Sequence, residues 1–588
     1  KMLLYSEIGD QFHMTRQYDE ALDSYQESLK ITKQIALIYP DSTKANWNLA
    51  LGYDKTGNTF WNLQFFEEAL DYYKSALKIR KQLLSVMPDN IDNKRNLSIS
   101  YSNAGDAFRI LQHFEASLDY YQNSLEIDKQ VLAAMPDDIE AQNELSSSYD
   151  RVGDIFENLH RYKEALDCYK ISVKIRKQLL DAIPYSIDAK RDLSFCYGNV
   201  GDVFRKLQYF EEALDYYQNS LEIDKQVLAA MPNNIEALYT LSGSYDRKGD
   251  VLKSLQYFEK ALDSYQGALK IKKQILAVMP DNIEAKRNLS ISYSHIGDIF
   301  RKLQNFKNAL NYYQKSLEID KELLPATPDS LDAKRDLFIS YSKIGNAFLS
   351  LKNFNEALKA YQESLEIVKQ IAVTIPRNLD TKCDLSLGYG KVGDAFWNLQ
   401  RFDEALDFHQ KSLEIRKQIA AATPGNSSTK RDVSVSYNRI GDVLRGMKRF
   451  DEALISYRKS LEIDSLLVEV MPHSIESKGD LAYSHDDVGD SLRGLERFDE
   501  ALEFYQKSLK LRKELLAAIP HSSEAKQDIS ISYNKIDTLL TENKSSISKK
   551  TLLNALAQAE ELCDKNDKKG CDLKRDIEKI LQDKFQEE

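Results

Sequence analysis

Cysteine, proline, glycine, histidine and tryptophan are all scarce in this chain of 588 residues, and each scarcity removes a class of protein. The five cysteines (Cys168, Cys196, Cys383, Cys563, Cys571) are odd in number and form no CxxC, so neither a disulfide framework nor a zinc site organises the chain. They suit a reducing, cytoplasmic setting, and Cys563 and Cys571, on either side of a lysine-rich turn, read as free thiols. The eight histidines, from His13 to His521, make no HxxxH or HExxH, and His409 and His485 stand where a local pattern otherwise carries Tyr. No GxxxxGK[ST], GxGxxG or GxSxG is present, so no phosphate cradle or nucleophile elbow announces itself. The expectation is a protein that is not an enzyme, with no catalytic residues, no metal and no cofactor.

Long apolar runs are also missing. Nothing approaches the roughly 18 residues that suggest a membrane span, and the opening KMLLYSEIGD has no signal-peptide core. The net charge is −11 and the bases are dispersed, which disfavours a nucleic-acid surface; RNA binding by helical repeats would require a basic groove. What the chain does have is tyrosine (33) and phenylalanine (23) against only 12 prolines and 22 glycines, a helical profile. Length alone would argue for about four domains.

An internal period replaces that estimate. Gly followed by Asp or Asn recurs at Gly9, Gly57, Gly105 and so on to Gly489, and Pro recurs from Pro40 to Pro520, both in steps of 48; only Pro325 is off the ruler. Eleven glycines and eleven prolines thus read as the punctuation of a repeat. In the unit Pro280–Pro328, Asp281 or Asn282 caps a first helix running to about Leu303, and a second runs from about Phe306 to Leu324. Apolar residues at helical spacing (Leu289, Tyr293, Ile296, Phe300, Leu303; Phe306, Leu310, Tyr313, Leu317) give each helix one face to bury. Asp119–Pro136 and Asp215–Pro232 are identical and two units apart, the mark of a copied two-repeat block.

Tyr293, Gly297, Phe300, Phe306, Ala309, Tyr313 and Ser316 reproduce the spacing of a large residue, Gly, aromatic, aromatic, Ala, aromatic and small residue, and in this the unit resembles the tetratricopeptide repeat. Small residues recur at both close-contact positions, as at Ala213 and Ser220, where two helices must approach. The unit is about 14 residues longer than the usual 34 and lacks the Pro that normally follows the second helix; it is similar to the long-helix arrays of kinesin light chains and of bacterial signalling proteins. The resemblance implies an all-α, right-handed superhelical solenoid of about eleven antiparallel hairpins over residues 1–537, with the first repeat cut short, and residues 538–588 as a helical cap. Asp537 stands where the next Gly would be.

The resemblance also implies a protein-interaction scaffold that binds a protein or peptide along a concave face lined by the first helices. A second reading is a sensor arm of a larger bacterial signalling or defence protein, a caspase-like protease or a nucleotide-binding switch ATPase. The residue after Gly is acidic in nine units, and a base often follows three positions on: Asp106/Arg109, Asp202/Arg205, Asp250/Lys253, Asp298/Arg301 and Asp442/Arg445. These pairs are either ion pairs within one helix or a charged ladder that selects a peptide. Asp stands where chaperone-tail binders of the family need Asn, and Ser102, Asp150, Gly198 and Asn438 stand where they need Lys, which counts against a terminal-carboxylate clamp. Trp61 and Trp397 occupy the usual Arg position, and Trp47 lies on about the same helix face as Trp61; they are either partner anchors or packing between helices.

Overall fold

The computed structural model describes residues 1–520, 522–543, 546–564 and 568–585; His521 and the short stretches 544–545, 565–567 and 586–588 of the expected cap lie outside them. The described residues form 25 helices that pair antiparallel in sequence order. They divide into two compact units, Lys1–Ser292 and Tyr293–Glu588.

In the first unit each complete repeat is a first helix of 20 residues and a second of 21, as in Thr43–Asn62 with Phe66–Val86 and Ile187–Lys206 with Phe210–Ala230. A polar side chain starts each first helix: Ser42, Asn90, Asp138, Ser186 and Asn234 accept from the backbone N–H three residues on, satisfying a first-turn donor. Pro falls two residues beyond the end of the second helix, where its missing N–H and fixed φ prevent continuation. The first helix closes on a Schellman turn. Gln64 N–H donates to Trp61 O and Phe65 N–H to Phe60 O, with Gln64 at φ 65°.

That turn corrects the reading of glycine as punctuation. The left-handed position is filled by Arg16, Gln64, Gln112, His160, Gln208 and Gln256 in the first unit, and no described glycine has positive φ. The periodic glycine lies inside the first helix, pressed by a tyrosine ring from the second. A Cβ on Gly201 would sit 2.6 Å from Tyr217 Cε1, so only glycine leaves room for the ring. Tyr121, Tyr169, Tyr217 and Tyr265 are in consequence almost wholly buried.

The second unit repeats the same design. Its second helices run Phe306–Ala326, Phe354–Thr374, Phe402–Ala422, Phe450–Val470 and Phe498–Ala518, and the glycine–tyrosine contact recurs at Gly297/Tyr313, Gly345/Tyr361, Gly441/Tyr457 and Gly489/Tyr505. At Gly393 the ring is His409. Pro325 sits in the last turn of its helix. Beyond Ser523–Asn543, the helices Lys549–Asp564 and Lys568–Phe585 bury Leu552, Ala559, Ile577 and Ile580 in one cluster with Leu502 and Tyr533. They also overturn the free-thiol expectation: the antiparallel pair brings the Cα atoms of Cys563 and Cys571 to 4.5 Å and a disulfide joins them. The bridge spans eight residues, so it staples one local turn.

Candidate functional site

The aspartate that follows each periodic glycine has a partner fixed by the fold. In ten repeats the buried tyrosine fifteen residues on donates its phenol to this Asp or Asn, from Tyr25 on Asp10 at 2.7 Å to Tyr505 on Asp490 at 2.7 Å. The contact follows from the glycine: with the ring laid across the first helix, the hydroxyl reaches one residue past it. Burial, and then the neighbouring carboxylate, drives the phenol pKa of Tyr121, Tyr217 and Tyr313 far above the ordinary value.

A base then reaches the same carboxylate. Arg109 Nη2 stands 3.9 Å from Asp106, Arg205 3.5 Å from Asp202, Lys253 3.2 Å from Asp250 and Arg445 3.0 Å from Asp442. Arg301 lies beside the Tyr313 phenol. A second base arrives from the first helix of the following repeat, 45 residues on: Lys55 to Asp10 at 2.7 Å, Arg247 to Asp202 at 3.6 Å, Lys343 to Asp298 at 2.8 Å and Lys535 to Asp490 at 3.0 Å. Reading charges only along one helix missed this cross-repeat spacing, although Lys or Arg at Gly plus 46 is visible in the sequence.

The tryptophans differ. Trp61 is half-buried, edge-on to Phe66 at 5.2 Å and packed with Ala69, Tyr73 and Ala104. Trp47 and Trp397 are 40% and 43% exposed. Trp397 lines a cavity of about 200 Å³ with Leu349, Asp394, His409, Arg439 and Asp442. His409 is buried there, Nε2 3.6 Å from Asp394, and burial, with Arg439 and Arg416 nearby, pushes its pKa down to about 4, so the ring is neutral and packs as tyrosine does elsewhere.

Between the helices lies a second polar register that sequence reading passed over. At one position of the second helices stand Thr32, Arg80, Asp128, Arg176, Asp224, Lys272, Asp320, Val368, Arg416, Asp464 and Arg512, all 48 apart. Most of the cations meet an aspartate 26 residues earlier: Arg80 with Asp54, Arg176 with Asp150 at 2.7 Å, Lys272 with Asp246 at 2.6 Å and Arg512 with Asp486 at 2.8 Å. The aspartates are held by serine hydroxyls, as Asp224 by Ser194 and Ser244, both at 2.5 Å. The alternation of sign along this register was the signal available in the sequence.

Chemically these groups hold one another by ion pairs and hydrogen bonds. Among the described residues no three His, Cys, Asp or Glu side chains are placed to hold a metal, and no helix is long and apolar enough to cross a membrane.

Tetratricopeptide repeat models match residues 53–92, 192–267, 291–323, 339–372, 384–465 and 481–521, together just over half of the chain. Among solved structures, BtubC (BKLC) from P. vanneervenii is 18% identical, matched over 45% of this chain and 93% of its own, with a TM-score of 0.35. The apo form of RapI is 16% identical over 66% of this chain and 98% of its own, TM-score 0.39. A signal transduction ATPase with numerous domains and a tetratricopeptide repeat sensor, from Pyrococcus horikoshii, is 13% identical over 74% of this chain and 55% of its own, TM-score 0.38. No curated protein sequence gives a significant match.

Proposed function

Because the chain belongs to the tetratricopeptide repeat family, we propose that it is a non-enzymatic scaffold whose first helices bind a protein or peptide partner, with residues 538–588 as a terminal cap. One observation carries this reading. Ile339, Leu387, Val435, Tyr483 and Ile531 occupy the same register on five consecutive first helices, and all remain exposed. Apart from Tyr483, whose phenol donates to Asp528, these exposed apolar side chains on five successive helices are left in water, whereas a partner laid across the helices would cover the whole row. Ion pairs such as Arg431 with Glu476 and Arg445 with Asp490 tie successive first helices side by side, which makes the row continuous there.

Four residues further on stand Lys343, Lys391, Arg439, Asp487 and Lys535, so the row is edged mostly by bases and favours a partner with apolar and acidic side chains. Trp397 and the exposed parts of Arg445 extend it in the second unit; Trp47, Ile99, Phe195, Arg109, Arg205 and Lys253 offer the same kind of surface in the first.

Selection of peptides from a random display library tests the reading. Selected peptides should bind at least about tenfold more weakly to Leu387→Asp and Val435→Asp, since apolar hot-spot contacts carry 1–2 kcal/mol or more, and equally to Leu466→Asp on a second helix. Equal binding by all variants would remove the row as the partner surface. The sensor-arm alternative places a trigger on the same row and differs only in what is attached to the chain.

A further inference from the structure

Arg416 holds its guanidinium as its counterparts in other repeats do, but makes no direct ion pair with a carboxylate. Its template is Arg80, whose Nη1 donates to Asn96 O at 2.5 Å and Ser100 Oγ at 2.6 Å while Nη2 takes the Asp54 carboxylate. Arg512 repeats this with Asp528 O at 3.0 Å, Ser532 Oγ at 2.6 Å and Asp486 at 2.8 Å. Arg416 Nη1 makes the first two bonds, to Asp432 O at 2.9 Å and Ser436 Oγ at 3.0 Å, so its guanidinium is fixed in the same way.

The third bond has no counterpart. Twenty-six residues before Arg416, where Arg80, Arg176, Lys272 and Arg512 find Asp, stands Gly390. A Cβ built there would meet only Ser412 Oγ, at 3.7 Å, so the position is roomy and no other side chain has moved in. The nearest carboxylate along the same helix, Asp394, faces His409 at 3.6 Å and Arg439 at 3.9 Å. Arg416 is half-buried, and Asp432 and Asp394 act on it only through space, with no direct ion pair to its guanidinium. It also lines a cavity of about 210 Å³ with Ser386, Leu387, Thr429 and Asp432, which gives the guanidinium a route to solvent.

We propose that Arg416 Nη2, left without a direct partner by Gly390, binds a monoanionic carboxylate that enters through this cavity and docks as Asp486 docks on Arg512. Asp384 and Asp432 line the same cavity and disfavour a phosphate dianion more than a single carboxylate charge. The carboxylate is either borne by a peptide, as an acidic side chain or chain terminus, or belongs to a free small acid. Leu387 joins the cavity to the exposed apolar row, so the peptide source rests on the scaffold reading, while the site itself does not.

Calorimetric titration of the full chain at constant ionic strength tests it, with acetate, N-acetyl-aspartate amide, N-acetyl-alanine, N-acetyl-asparagine amide and inorganic phosphate as probes. The carboxylates should bind and the neutral amide should not. Gly390→Asp, which installs the missing group, and Arg416→Met, which removes the cation, should each weaken carboxylate binding by at least about tenfold, the scale of a charge-assisted hydrogen bond. Gly390→Asp should also raise the thermal midpoint of the free protein. Acetate binding as tightly as the peptide analogues identifies a free small acid; analogues binding tighter identify a peptide. Absence of carboxylate binding, equal binding by Gly390→Asp, or phosphate binding as tightly as acetate overturns the proposal. Val435→Asp should leave acetate binding unchanged, which separates failure of the row from failure of this site.

Discussion

The two units solve the same packing problem with different regularity. In Lys1–Ser292 the polar register between helices alternates in sign from the second repeat on, Arg80, Asp128, Arg176, Asp224, Lys272, after Thr32 in the first, and each cation has its aspartate within the same hairpin while Asp128 and Asp224 have serine hydroxyls. In Tyr293–Glu588 it begins with Asp320 on Ser340 at 2.6 Å, is broken by the buried Val368, and resumes as Arg416, Asp464, Arg512 with the opposite phase. The slip shows that each pairing is written twice, once on each helix, 26 residues apart. Where only one copy changes, a charge loses its partner: Arg416 faces Gly390. The cross-repeat ladder is irregular in both units, with Asn103 and Asn199 at the base position in the first and Asp487 in the second. Lys391 stands by register against Asn346, and burial, with Arg301 and Lys343 nearby, pushes its pKa down to about 8. Candidate binding groups therefore concentrate where the bookkeeping of charge fails to close.

One substitution made in both units breaks or sharpens this comparison most. Arg80→Met strands Asp54, whose carboxyl burial already holds at about 6 against the pull of Arg80, and should cost on the order of 3–5 kcal/mol. Arg416→Met breaks no direct ion pair, only the bonds to Asp432 O and Ser436 Oγ and a through-space attraction to Asp432 and Asp394, and should cost less, about 1.5–3 kcal/mol. Asp54→Leu added to Arg80→Met should recover most of the loss, because an apolar pair of similar volume leaves no buried charge. Denaturant unfolding combined with hydrogen exchange in the affected hairpins measures all three, since a repeat array need not melt as one unit. Equal losses at Arg80 and Arg416 would erase the distinction between completed and uncompleted pairs.

A smaller effect distinguishes the carboxylate positions. Ser244→Ala removes one of the two hydroxyls that stabilise Asp224 and should cost about 1.5–3 kcal/mol, the value of a hydrogen bond to a charged group. Ser340→Ala should cost Asp320 a similar amount in the second unit. A negligible loss at either site would mean that water replaces the hydroxyl and that the serine register is mere small-residue packing.

Much of this fold was legible in the sequence because the 48-residue period is carried by residues with sharp physical roles. The expected cap at Asp281 or Asn282 is Asn282, which accepts from Ala285 N–H, and the second helix expected at Phe306–Leu324 runs Phe306–Ala326. Glycine misled because it is associated with turns, whereas the left-handed turn residue here is Gln, Lys, His, Arg or Glu, types that carry no turn signal. The aspartates after each glycine were legible as a series along the chain, but their tyrosine partners lie on the other helix, and a spacing of fifteen residues is invisible to helical periodicity. The same holds for the 26-residue pairs. Gly390 gives no local signal; it becomes informative only beside Asp54, Asp150, Asp246 and Asp486.

The smallest expected effect is at Asp487, which occupies a ladder position filled by Lys55, Lys343 and Lys535 elsewhere. Burial, then the adjacent Asp442 and Asp490 outweighing Arg445 and Lys535, pushes its carboxyl up to about 7. The folded protein therefore holds this proton more tightly than the unfolded chain, whose carboxyl titrates near the ordinary value of about 3.9. The stabilisation from that proton is complete below about pH 4 and is lost as the pH rises to about 7. Asp487→Asn cannot ionise, so it should match the wild type near pH 4 and be the more stable above pH 7. The advantage is about 1 kcal/mol once the lost attraction to Arg445, 3.5 Å away, is discounted. Asp490→Asn, which leaves its Tyr505 bond with a neutral acceptor and Lys535 with one carboxylate fewer, should not gain stability over the same range. A constant difference between Asp487→Asn and wild type from pH 4 to pH 8 would show that the second unit accommodates this ladder mismatch without moving a proton.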